Sequence, residues 1–234
     1  MSAATKPASE VDERPRSVGR PRVGILSRRL IGETALRLLD EDRDTGFRMS
    51  DLARALGVRV SSLYNHVENK AAVFAEIREI LAERIDGEAT PDPRWDRALR
   101  TWAHAYRAAF AAHPATVAYL STLPLDANST VGTAYDHLAS QLQDAGWSAA
   151  ESMSVIVAVE SFVLGSALDA SAPPDMLDPG QRTDVPRFSG AYHARRELAA
   201  AEGVTPADLA FALGLDALLE GLRLRLGAHA TPSR

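Results

Sequence analysis

The chain has 234 residues, of which 46% are apolar and 24% charged, and a formal net charge of −5. That is globular composition, long enough for one good-sized core or two small ones. The absence of cysteine excludes a disulfide scaffold, a thiol nucleophile and any zinc site that needs thiolates.

The mean charge hides a gradient. Residues 1–86 hold 15 Lys/Arg and 14 Asp/Glu, and the rest of the chain 11 and 17. Arg14, Arg16, Arg20, Arg22, Arg28 and Arg29 fall within 16 residues with no acid among them. A basic arm ahead of an acidic body fits a local anionic partner, DNA first, and it equally fits a solvated tail. No apolar signal-peptide core follows the N-terminal charges. The most apolar stretch, 154–168, is interrupted by Glu160 and is too short to span a bilayer. The expectation is a cytoplasmic protein without a membrane partner.

Residues 1–26 are rich in Pro, Ser, Gly and charge and are expected to be a disordered basic arm. Helical periodicity starts at Ser27, a suitable N-cap, and runs on Leu30, Ile31, Ala35, Leu38 and Leu39. Residues 42–46 read as a turn. A short amphipathic helix over 50–56 places Leu52, Ala53 and Leu56 inward, and Gly57 ends it. A second short helix spans 61–67. Asn69 caps a longer one that runs to about Asp86. Residues 88–93 form a Pro-containing hinge, so the expected domains are 27–86 and 87–234. Beyond the hinge, helices are expected near 94–112, 115–121, 127–145, 148–170, 190–202 and 205–227, with a proline-rich loop over 171–188. No strand pattern appears, and the fold class is all-α.

Two short helices joined at a glycine have the size of a helix-turn-helix unit. Ala53 must be small where the second helix crosses it, Gly57 must allow the sharp turn, and Val58 and Leu63 must fill the gap between the helices. The second helix then enters the major groove with its N-terminal residues at base edges. The segment DLARALGVRVSSLYNHVENKAAVFAEI, within residues 27–86, closely resembles the DNA-binding signature of the tetracycline-repressor (TetR) family of transcriptional regulators.

That resemblance implies base-edge roles for Ser61, Ser62 and Asn65, and phosphate roles for Tyr64, His66 and Lys70, with Ser27 also at the DNA. Packing against the first short helix is an equally good role for Tyr64, and His66 could simply pack at a helix end. The family usually places Ser or Thr at the two N-caps where Arg48 and Arg59 stand here. An arginine cannot accept from free N–H groups, so Ser50 and Ser61 are expected to shift the caps, leaving Arg48 and Arg59 for phosphates or guanines. In the arm, Gly19-Arg20-Pro21-Arg22 suits an A·T-rich minor groove.

The helix at 205–227 is apolar around most of its girth, and that at 148–170 is similar. Faces that broad exceed the needs of a monomer core. Gly165, Gly214 and Gly221 would let backbones approach. The expectation is a homodimer joined by a four-helix interface, which is also where the family dimerises. A dimer sets two recognition helices about one DNA turn apart and asks for a palindromic operator on double-stranded DNA.

FALGLDALLEGL and FVLGSALD resemble segments of the tetracycline-repressor subgroup itself. By that resemblance Trp102, Tyr106, Tyr119, Thr122 and His137 line an effector pocket, and Asp169 reaches in from the partner chain. Glu160 is either a ligand partner or a polar group of the dimer interface. The subgroup's magnesium-tetracycline binders carry a metal-binding histidine where Tyr119 stands. They also carry His and Asn where Asp86 and Trp102 stand. No metal or cofactor is therefore expected, and the effector is expected to be small and largely apolar or aromatic. Trp102, Tyr106 and Tyr119 would equally serve as ordinary core.

No nucleophile elbow, zinc-protease motif, phosphate loop or dinucleotide fingerprint is present, and the six histidines are scattered, so no enzyme is expected. The reading is a ligand-responsive repressor. The alternatives are an activator of the same family and a dimeric interaction protein without specific DNA binding.

Overall fold

A computed structural model describes residues 26–41, 46–88, 92–127 and 129–229. The expected arm, with Arg20 and Arg22, and the turn at 42–45 lie outside them. All regular structure among the described residues is helical.

The head is built from α1 (Arg28–Glu41), α2 (Met49–Ala55) and α3 (Val60–Leu63) against the first half of α4 (Lys70–Glu88). Ser27 Oγ accepts from the Leu30 N–H at 3.1 Å, and Asn69 Oδ1 accepts from the Ala72 N–H at 2.9 Å. Both predicted caps are present, each satisfying one of the free donors at a helix start. Ile31, Ala35, Leu36 and Leu39 are buried on α1, facing Val73, Phe74, Ile77 and Ile80 of α4. The two helices approach closely at Gly32, where a Cβ would meet Glu76 Cγ at 2.6 Å.

The turn between α2 and α3 follows from Gly57, whose φ of 67° is in the left-handed region. There the Val58 N–H reaches back to the Ala53 carbonyl at 3.0 Å, closing the end of α2, as a glycine at this position commonly does. Ala53 and Leu63 are fully enclosed.

Two expectations fail here. Arg48 and Arg59 themselves occupy the N-cap positions with extended backbone, and neither side chain caps. Ser50 and Ser61 lie inside the helices and do not shift the caps. At α2 the Asp51 carboxylate accepts from the Arg48 N–H at 3.2 Å, which ties down the start of the helix from its third residue. The second short helix is also only four residues, with 64–66 in a turn, where the His66 N–H bonds the Leu63 carbonyl at 2.9 Å.

The body comprises α5 (Trp95–Ala112), a single 3-10 turn (Pro114–Thr116), α6 (Val117–Leu120), α7 (Val131–Asp144), α8 (Ala149–Ser171), α9 (Pro186–Glu202) and α10 (Pro206–His229). Helix α9 starts at Pro186, inside the stretch expected as loop, because proline at a first helical position forfeits no hydrogen bond. At 23 residues α8 is long and apolar enough to cross a membrane by composition alone. In this fold it is a packed helix: Val155, Ile156, Val159, Val163 and Ala167 are buried among α5, α7 and α10. One continuous apolar cluster runs from Ile31 in the head through α4 to Leu219 in α10.

Candidate functional site

On the head, the N-cap backbone of α3 leaves the Arg59 side chain exposed, beside exposed Ser61, Tyr64 and Asn65. Ser62 and His66 are half-buried. Tyr64 is 50% exposed, so it is not absorbed into the packing of α2. Arg48 and Ser50 stand exposed at the start of α2. Ser27 is exposed too, with its hydroxyl engaged in the cap of α1. Lys70 is half-buried, its ammonium 4.8 Å from the centroid of Phe47 and 5.8 Å from those of Phe74 and Tyr119.

Behind the head, a cavity of about 370 Å³ opens between α4, α5, α7, α8 and the segment after α6. Its floor is aromatic: Trp102, Tyr106 and Phe110 from α5 and Tyr135 from α7. Leu81, Ile85, Leu120, Leu123 and Leu164 add aliphatic surface. Three ionisable side chains apart from the tyrosines reach it, namely Arg78 and Asp86 of α4 and Glu160 of α8. The Tyr106 and Tyr135 hydroxyls both donate to Glu160 Oε1, at 2.6 and 2.7 Å. Burial pushes both phenols up, and the adjacent carboxylate pushes them further, so both stay protonated donors.

Helix α4 grips the wall of this cavity at both ends of one segment. The Arg78 guanidinium donates to the carbonyls of Leu120, Leu123 and Pro124, the first and last at 3.2 and 2.9 Å. Next to it, the Glu79 carboxylate accepts from Ser129 Oγ at 2.5 Å and from the Thr130 N–H at 2.8 Å. Burial works against that charge, but these donors outweigh it and hold Glu79 below the usual carboxylate range. A polar contact also joins head to body: His113, after α5, bonds Asp40 of α1 at 2.9 Å and Arg84 of α4 at 2.6 Å.

Of the pocket residues expected from sequence, Trp102, Tyr106 and Glu160 line the cavity together. Tyr119 does not: its ring stacks on Phe74 at 4.4 Å, at the junction with the head. The Thr122 hydroxyl bonds the carbonyls of Ala118 and Tyr119, at 3.4 and 3.3 Å, and His137 is exposed on α7. Asp169 sits near Arg195, at 4.0 Å, beside a smaller pocket of about 190 Å³. Arg78 and Tyr135 were missed in the sequence. Among the described residues no group of three His, Asp or Glu converges to hold a metal ion.

A helix-turn-helix head and an effector-sized cavity sharing one helix define a class: ligand-responsive transcriptional regulators. Residues 88–226 match the family model described as the tetracyclin repressor-like C-terminal domain, and the chain belongs to that family. It is 28% identical over 211 residues to the class D tetracycline repressor protein of Escherichia coli, covering 87% of this chain and 92% of the relative. Among solved structures, TetR from Acinetobacter baumannii AYE has a TM-score of 0.65 at 26% identity, over 86% and 98% of the two chains. Apo ActR from Streptomyces coelicolor has a TM-score of 0.67 at 22% identity, over 88% and 99%, and speaks for the fold alone.

Proposed function

We propose that the protein is a cytoplasmic homodimeric repressor that binds a palindromic operator and is released by a small, largely apolar or aromatic effector. The observation that carries this is the double role of α4. Its buried face holds the head through α1, while Arg78 and Glu79 hold both ends of the cavity wall. A molecule that fills the cavity and displaces the wall must move α4, and with it α3. Effector and operator then oppose each other by linkage, which needs only a few kcal/mol of differential affinity.

In this reading Arg59, Ser61, Ser62 and Asn65 face base edges, with Arg48, Ser50, Tyr64, His66 and Lys70 at phosphates and Ser27 and the arm residues Arg20 and Arg22 nearby. Trp102, Tyr106 and Glu160 contact the effector. Asp169 belongs to the partner's pocket in the dimer. The exposed apolar residues Met153, Val157 and Leu168 of α8, with Leu213 and Leu224 of α10 at 75% and 77% exposure, support the dimer. Gly165 and Gly221 have open space in front of them, room for a partner helix.

The test is a titration of the purified protein onto its own upstream intergenic DNA, beside a shuffled control, at two salt concentrations. Specific binding survives raised salt on the native sequence only. Equal, salt-sensitive binding to both DNAs contradicts the reading.

A further inference from the structure

The cavity is apolar in surface but not in charge. Of the side chains that reach it, Asp86 and Glu160 bring carboxyl groups and Arg78 the one guanidinium. The terminal nitrogens of Arg78 are committed to three main-chain carbonyls of the wall. It is a structural cation, already matched to acceptors. Asp86, at the exposed end of α4, has no ion pair among the described residues.

Glu160 is different from both. It lies midway along α8, a long apolar helix, with Val159 and Val163 buried beside it. A carboxylate in such surroundings is unfavourable unless its oxygens are matched. Two tyrosine hydroxyls converge on Oε1, and among the described residues no donor takes Oε2. Burial raises both phenols, which keeps them donating. The arrangement orients the carboxylate and leaves it half-matched, on the lining of a cavity floored by Trp102, Tyr106, Phe110 and Tyr135. Aromatic faces attract a cation, most strongly where water is excluded.

We infer that the effector is an organic cation, an amine or amidine on an aromatic or apolar body, with its charged nitrogen on Glu160. The inference rests on the regulator reading above, whose cavity it fills. An anionic body of the same shape meets two carboxylates and is rejected, and a neutral one leaves Oε2 without a donor.

The experiment uses the full chain and three probes of one shape: naphthylmethylammonium, naphthylmethanol and naphthoate. Calorimetry reads binding, and operator release is read separately. The ammonium binds about tenfold more tightly than the alcohol, as a charge-assisted bond predicts, and the carboxylate most weakly. In E160Q the ammonium-to-alcohol ratio falls to near one. Should E160Q fail to fold by circular dichroism, the three-probe series on the unmodified chain decides alone. Equal binding of ammonium and alcohol, tighter binding of naphthoate, or no binding by any probe overturns the inference. An ammonium that binds selectively without releasing the operator upholds the cation site and removes the repressor reading. An alcohol that binds and releases as well as the ammonium does the reverse.

Discussion

Asp96 is the clearest place to test the energetics of the body. It lies in the first turn of α5 and is 3% exposed. Arg94 bonds it from the same turn at 2.9 Å, and Arg223 of α10 reaches it with Nε at 2.8 Å and Nη2 at 2.7 Å. Burial would push this carboxyl up, but the hydrogen bonds from Arg94 and Arg223 outweigh burial and bring it down from 3.8 to about 2. The pair thus locks the last turns of α10 to the start of α5. By linkage, a carboxyl depressed in the folded state adds stability above its unfolded value, and that gain disappears as pH falls through the folded value. The shift is worth about 2 kcal/mol at pH 7 and about 1 kcal/mol near pH 3. Asp96→Asn keeps the shape and removes the charge. Urea unfolding followed by circular dichroism, at equal protein concentration, should show that gap at pH 7 and its closure toward pH 1. A gap below about 0.5 kcal/mol at pH 7, the size of an ordinary surface change, or one that stays constant through pH 3, refutes the reasoning.

Gly214→Leu puts carbon where Phe162 already sits, since a Cβ at that position would meet the Phe162 ring at 2.6 Å, and should cost about 1–3 kcal/mol by overpacking; an unchanged melting temperature would contradict the α8–α10 contact. Leu213→Arg with Leu224→Arg should yield a folded monomer in sedimentation equilibrium, and a persisting dimer rules out that face. Arg59→Ala should weaken operator binding by about tenfold, and full affinity removes the arginine from the DNA. Arg78→Ala should speed proteolytic cleavage within 120–127, where three carbonyls lose their donor; unchanged cleavage means that the wall is held by something else.

The head was legible because its constraints are local. Ala53, Gly57 and Leu63 sit at spacings that suit a tight helix crossing, and Ser27 and Asn69 cap helices that begin right after them. The cap exchange at α2 was not legible, since Asp51 bonding backward to the Arg48 N–H is one of several uses for an acid in a first turn. The cavity was legible along α5, where Trp102 and Tyr106 lie one turn apart, and at Glu160, whose charge interrupts an apolar helix. By resemblance alone Tyr119 reads as a pocket residue. The 3-10 turn at Pro114–Thr116 precedes a helix of one turn, and the ring ends on Phe74 instead. Arg78 reads in sequence as one more charge on an exposed helix face. Its role depends on the carbonyls of a segment more than 40 residues away, which no periodicity encodes.

In the proposed regulator two heads, held by one dimer, read DNA through α3. Hydroxyl-radical footprinting on the operator tests it directly. Two protected patches are expected on one face of the duplex, centred about one helical turn or a small multiple apart, and related by a two-fold axis in the sequence. A single patch, or uniform protection that moves with salt, would contradict it.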